Sequence, residues 1–288
     1  MIEPNEQGAA VDVDLLTEVR RRYLNLMKHA LTRYVFAESW QHYEPRPNTL
    51  RHAVFRAGRR VLDRKDLELV LRFPFDPALR ADGRDWPPEA DTMVGLKRLD
   101  NIEFCVSHVI ADDVPGDLIE TGVWRGGASI FMRAVLEAYG DPHRSVWLAD
   151  SFRGLPPARP ERTDDVEDAL WSYEFLAVPI DQVRTNFQRY SLLDDRVKFL
   201  EGWFEDTLPT APIDHIAVIR LDGDMYDSTM VALESLYPKL SVGGYVIVDD
   251  YGAVKGCRQA VDEFRSRNSI ADEMHEVDWT CQYWRRSS

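Results

Sequence analysis

IRLDGDMYDS (219–228) and YVIVDDY (245–251) each run an apolar stretch of β-formers directly into a group of aspartates. Asp222, Asp224 and Asp227 follow the first stretch, and Asp249 and Asp250 close the second. Strands this apolar are buried on both faces, as in a parallel sheet joined by helical crossovers. TMVALESLYPKL (229–240) between them reads as the crossover helix. Neighbouring strands lie about 4.8 Å apart, so both acidic groups meet at the carboxyl edge of the sheet, where open α/β sheets bind their ligands. Carboxylates crowded in this way need a hard divalent cation to screen them, and six oxygen ligands suit Mg²⁺. Asp222, Asp249 and Asp250 are the candidate metal ligands. Asp224, two residues further on, is the candidate general base. Asp227, ahead of Ser228 and Thr229, suits a helix cap instead.

Working outward, DLIETGVWRGGAS (117–129) and VWLADSF (146–152) repeat the pattern of a strand ending in glycine or acid. Gly122, Gly126 and Gly127 let backbone approach a ligand at a helix N-terminus, but their spacing is not that of a dinucleotide fingerprint. Glu120 beside them would repel a pyrophosphate and welcome an amine or a sulfonium. Asp150, at the end of the next strand, is placed to accept hydrogen bonds from ribose hydroxyls. Together they point to a nucleoside ligand without phosphates. The remaining signals alternate: a helix over 93–111, another through GGASIFMRAVLEAYG, and a polar excursion over 152–180 that reads as a lid. A helix over 181–191 and strands RVKFLEG and HIAVIRLDGD come next. A helix CRQAVDEFRSR and an alternating HEVDWTCQYW tail then close the sheet as an antiparallel pair. The fold class is α/β, a doubly wound, mostly parallel sheet with right-handed crossovers.

The N-terminal third differs. Residues 1–12 read as disordered, 14–37 as an amphipathic helix, and 40–88 as a proline-broken stretch with one helical piece around 49–71. We expect 1–91 to form a helical arm, lid and subunit contact in a homodimer or higher homo-oligomer, and 92–288 the main domain. A net charge of −14 and a pI near 5.0 argue against a nucleic-acid partner. Three unpatterned cysteines indicate neither a disulfide framework nor zinc, and no apolar run is long enough to span a membrane. The expectation is a cytoplasmic protein. The isolated histidines, among them His108, His143 and His215, suit packing or surface roles, and Tyr251 is expected to face an acceptor.

The motifs ETGVWRGG, ADSFRGLP, VRTNF, EGWFEDTLP, IRLDGDMYDST and VGGYVIVDDY, in this order from about Thr92 to Trp284, resemble the macrocin O-methyltransferase family. The resemblance implies an S-adenosylmethionine- and Mg²⁺-dependent enzyme that methylates a sugar hydroxyl in antibiotic biosynthesis. It also implies a seven-stranded, Rossmann-like class I methyltransferase sheet. It assigns the metal to Asp222, Asp249 and Asp250, with Asp222 also near the donor, and the base to Asp224. The donor falls to Glu120, Thr121, Gly122, Asp150 and Ser151, with Gly202 and Trp203 flanking adenine and Thr92 and Met93 closing over it. The 40–90 segment looks longer than the family's arm, and the acceptor is either a nucleotide deoxysugar or a finished glycoside. The alternatives are a catechol-type O-methyltransferase acting on an aromatic diol, a noncatalytic nucleoside-binding protein, and a hydrolase of phosphate esters, against which the acidic motifs are read as holding no basic residue for a phosphate.

Overall fold

The computed structural model describes residues 6–37, 40–43, 54–55, 58–59, 61–62, 64–168 and 170–288. Helix α1 (Glu6–Leu31) comes first, and a short antiparallel pair follows, β1 (Trp40–His42) with β2 (Val70–Arg72). Next come α2 (Pro77–Ala81), α3 (Leu96–Ala111), β3 (Asp117–Thr121), α4 (Gly127–Ala138) and β4 (Val146–Asp150). The chain continues through α5 (Thr163–Asp168), α6 (Ile180–Arg189), β5 (Val197–Glu201), α7 (Phe204–Thr207) and β6 (Ile216–Leu221). It finishes with α8 (Tyr226–Leu236), β7 (Leu240–Val248), α9 (Lys255–Arg267), β8 (His275–Glu276) and β9 (Gln282–Arg285).

The main sheet has seven strands in the order β5-β4-β3-β6-β7-β9-β8. The first five run parallel, and the tail adds β9 and β8 antiparallel, as the alternating pattern predicts. Chain order reverses between β3 and β6, so the crevice at their carboxyl ends is the topological switch point where such sheets bind ligands.

Alternation along the strands supplies two cores. Leu118, Leu148, Val218 and Ile247 pack on one face with Leu24 and Leu31 of α1, Ile102 of α3 and Phe131 of α4. Ile119, Ala149, Ile219 and Val246 pack on the other with Leu233 of α8 and Val261 and Phe264 of α9. Each fully buried aliphatic or aromatic side chain contributes about 1.5–3 kcal/mol. These cores hold the strand ends rigid.

The arm departs from the sequence reading. Helix α1 begins at Glu6, inside the stretch expected to be disordered, and stops at Leu31, where Arg33 adopts a left-handed φ of 55°. The helix expected from residue 93 starts at Leu96 with Gly95 as its N-cap. Of the helical piece expected around 49–71, residues 54–55, 58–59 and 61–62 are helical, 64–66 form a turn and 70–71 belong to strand β2, while 49–53, 56–57, 60 and 63 lie outside the described residues. Polar stitches fasten the arm: buried Arg80 donates to the Thr32 and Arg33 carbonyls at 3.1 and 3.0 Å and to Asp85 at 2.6 Å. Lys28 pairs with Asp100 and Glu103 at 2.5 Å. Among the described residues no helix is long and apolar enough to cross a membrane.

Candidate active site

Hydrogen bonds carry the strand register into the acidic loops. The Asp222 amide donates to the Thr121 carbonyl at 2.8 Å and the Asp249 amide to the Leu221 carbonyl at 2.9 Å. Asp222 and Asp249 therefore leave adjacent strands side by side. The close approach of β3 and β6 requires glycine at 122, where φ is +87° and a Cβ would collide with the Asp222 carbonyl. Asp224 also has a left-handed backbone, φ 56°, a conformation costly for a non-glycine residue and concentrated at functional sites.

Ligand oxygens of Asp222, Asp249 and Asp250 lie within 4.8 Å of one another, as the motif spacing predicts. A feature the sequence reading passes over is Arg220, inside the first motif and 1% exposed. It is the register partner of Glu120 on β3. Its guanidinium donates to Glu120 at 2.5 Å, to Asp222 at 2.7 Å and to Asp249. Arg98 of α3 reaches the other Asp249 oxygen at 2.5 Å and Asp278 at 2.7 Å. A buried file of alternating charges thus runs from Ser129 and Glu120 through Arg220, Asp249 and Arg98 to Asp278. An arginine isolated within the buried run IAVIRL is the sequence signal for it. Because its Nη groups are committed to carboxylates, Arg220 provides no seat for a phosphate.

The file sorts the acids. Burial alone would raise Asp249, but Arg220 and Arg98 outweigh it and hold the carboxyl below its ordinary value. Burial raises Asp222 against the pull of Arg220, and raises Glu120 to about 7 against Arg220 and Ser129. Asp250 is pushed well up by burial and then by Asp224, Asp222 and Asp249, and its Oδ2 is buried without a hydrogen-bond partner. Asp249 alone of these acids is held as an anion by its two arginines, whereas Asp222, Asp250 and Glu120 keep their protons more tightly than ordinary carboxyls.

All of this opens on a cavity of about 960 Å³ whose wall includes Thr92, Met93, Glu120, Gly122, Asp150, Ser151, Trp203, Asp222, Asp224, Asp249 and Asp250. Thr121 and Gly202 lie beside the wall: Thr121 is buried against the Arg220 carbonyl, and the Gly202 amide bonds the Asp150 carbonyl at 2.9 Å. Asp150 accepts from the Val123 and Phe152 amides, both at 2.6 Å, which fixes its carboxylate at the turn. Both of Glu120's oxygens are taken by Ser129 and Arg220. Tyr251 does not face the cavity. Its hydroxyl donates to Asp262 on α9 at 2.7 Å. From the lid, Leu155, Leu170, Tyr173 and Phe175 reach the wall, and Trp124 donates to the Phe175 carbonyl at 3.0 Å.

The sequence model of the family described as Macrocin-O-methyltransferase (TylF) matches residues 20–286, a longer span than the Thr92–Trp284 stretch that carries the motifs. An 8-demethyl-8-(2,3-dimethoxy-alpha-L-rhamnosyl)-tetracenomycin-C 4'-O-methyltransferase of Streptomyces olivaceus is 56% identical over 225 residues, 76% of this chain and 86% of the relative. The demethyldecarbamoylnovobiocin O-methyltransferase of Streptomyces niveus is 54% identical over 211 residues, 73% and 80% of the two chains. The solved structure of the O-methyltransferase NovP superposes with a TM-score of 0.79 at 45% identity, covering 93% of this chain and all of that one. With that match along the chain, and with clustered acids at the switch point of a class I methyltransferase sheet, the chain belongs to the macrocin O-methyltransferase family and is an O-methyltransferase.

Proposed function

We propose that this O-methyltransferase carries the methyl group of S-adenosylmethionine to a sugar hydroxyl of a glycosylated small molecule, with Mg²⁺ as its metal. The rhamnosyl group in the name of the Streptomyces olivaceus relative supports a sugar acceptor. Asp222, Asp249 and Asp250 would hold the ion, and the observation that carries this reading is the buried, partnerless Asp250 oxygen within the three-acid group. Bound Mg²⁺ would supply the positive field that makes an acceptor hydroxyl more acidic. Arg220 and Arg98 fix the Asp249 carboxylate from behind, so the acids are preorganised. Asp224, on the same wall, takes the hydroxyl proton at its carboxylate. Asp150, with Ser151 and Trp203 beside it, supports recognition of the donor's nucleoside end.

The exposed apolar side chains Leu15, Leu16, Val19 and Leu26 of α1 support a homodimer contact through the arm, with 1–91 as arm and 92–288 as catalytic domain. Three buried free thiols, Cys105, Cys257 and Cys281, support a cytoplasmic setting. The test is transfer of labelled methyl from S-adenosylmethionine to a panel of deoxysugar glycosides, nucleotide deoxysugars, the matching aglycones and catechols, with and without EDTA. Transfer to a glycoside that EDTA abolishes and Mg²⁺ restores is the expected result. Activity on the aglycone or on catechols instead, or activity indifferent to EDTA, refutes the proposal.

A further inference from the structure

Helices α8 and α9, which follow the two metal-bearing loops, both start without a cap of their own. Met225 and Val254 stand at their N-cap positions and make no side-chain cap bond, although the first amides of a helix need acceptors. The acceptor comes from the lid. Asp165 of α5 is 3% exposed, and its carboxylate accepts from the Tyr226 amide at 3.1 Å. The same carboxylate rests on Gly256 in the first turn of α9, where a Cβ would fall inside the contact shell of Asp165 Oδ1. Glycine is therefore required at 256 by the side chain above it.

Neighbouring contacts fasten the same corner. The Arg162 guanidinium sits 3.5 Å over the Tyr226 ring and pairs with Asp227 at 3.3 Å, and Lys255 pairs with Asp164 at 3.5 Å. Tyr226 lies two residues past Asp224, and Gly256 six past Asp250. One buried carboxylate thus touches the starts of both helices into which the aspartate loops lead.

We propose that Asp165 is a positioning residue: it fixes the separation of the two aspartate loops and makes that separation depend on the seating of the 152–180 lid. The inference rests on the reading of Asp222, Asp249 and Asp250 as Mg²⁺ ligands, but the lid half of it does not. A seated lid completes the three-acid group, and a displaced lid lets the loops drift apart. Of the contacts at this corner, the buried Asp165 carboxylate is the one that reaches the first turns of both helices.

The test compares the full chain with Asp165→Ala, Asp165→Asn and Gly256→Ala. Asparagine keeps an acceptor oxygen, and alanine at 256 is the better helix former yet evicts the carboxylate. Trypsin cleavage after Arg162, which tracks opening of the lid, is measured alongside calorimetric titration with Mg²⁺. Loss of a charge-assisted hydrogen bond predicts about a tenfold faster cleavage and about a tenfold weaker Mg²⁺ affinity in Asp165→Ala. Gly256→Ala should match it, and Asp165→Asn should stay near wild type. Wild-type cleavage in both alanine variants overturns the lid link, and wild-type Mg²⁺ affinity in variants with an opened lid overturns the loop link. A wild-type chain that takes up no Mg²⁺ refutes the metal reading instead, and the cleavage result still decides the lid link.

Discussion

Replacing Arg220 by methionine, which keeps volume and removes the cation, tests the charge file at its centre. Arg220 is buried and donates to Glu120, Asp222 and Asp249. Removing one member of a buried ion pair costs about 3–5 kcal/mol, because the partners are left as uncompensated charges. Against a total stability of roughly 5–15 kcal/mol, that loss should lower Tm by on the order of 10 °C. The penalty should also depend on pH in a defined sense. Glu120 is raised to about 7 even with Arg220 beside it, so at pH 5 it is protonated in both chains and the loss shrinks. As pH rises through 7, Glu120 ionises in wild type beside Arg220 but has no such partner in the variant, so the loss grows. On the proposed metal site, added Mg²⁺ would supply positive charge next to Asp222 and Asp249, so the variant should regain more Tm than wild type does. Differential scanning calorimetry at pH 5 and pH 8, in EDTA and then in excess Mg²⁺, reads all of this. A Tm within 2 °C of wild type at pH 8 in EDTA, well below the worked magnitude, would show that the carboxylates do not rely on Arg220.

Asp224→Asn should bind donor product and Mg²⁺ as wild type does by calorimetry, while kcat falls by about 10²–10⁴; near-normal turnover at saturating Mg²⁺ removes the base from the mechanism. Gly122→Ala places a Cβ against the Asp222 carbonyl at a positive φ, so it should lose at least about 2 kcal/mol in urea unfolding, and an unchanged midpoint would contradict the close approach of β3 and β6. The raised carboxyls of Glu120, Asp222 and Asp250 hold protons more tightly folded than unfolded, so stability in EDTA should fall as pH rises from ordinary carboxyl values near 4 toward 7. With Mg²⁺ held by Asp222, Asp249 and Asp250 as proposed, binding would require Asp222 and Asp250 ionised, so its affinity should climb with pH and release protons. Calorimetry in two buffers of different ionisation heat detects the release, and identical apparent enthalpies would contradict it.

The sheet was legible because its strands are self-declaring. IAVIRL and YVIVDD are apolar on both faces, and the alternating tail announced the antiparallel β9. The acids were legible for the same reason: a carboxylate directly after a buried strand has one place to go. What escaped was whatever depends on contacts between distant segments. Arg220 looks incidental until the register sets it opposite Glu120, and Arg98 and Asp278 are 180 positions apart yet 2.7 Å from each other. The arm was misjudged at its start because Glu6 to Asp14 carries little apolar periodicity, whereas α1 runs through it. Tyr251 follows the metal pair in sequence, but the turn after Asp250 directs it to Asp262.

The tail hairpin matters to anyone building hybrids of these enzymes. Asp278 secures Arg98, and the Thr280 hydroxyl donates to the Asp249 carbonyl at 3.0 Å, so the residues after α9 complete the wall of the acidic cavity rather than merely trimming the sheet. A crossover placed between α9 and β8 would pair one parent's aspartates with another parent's counter-charges. A recombination point that keeps residues 92–285 from a single parent leaves that circuit whole.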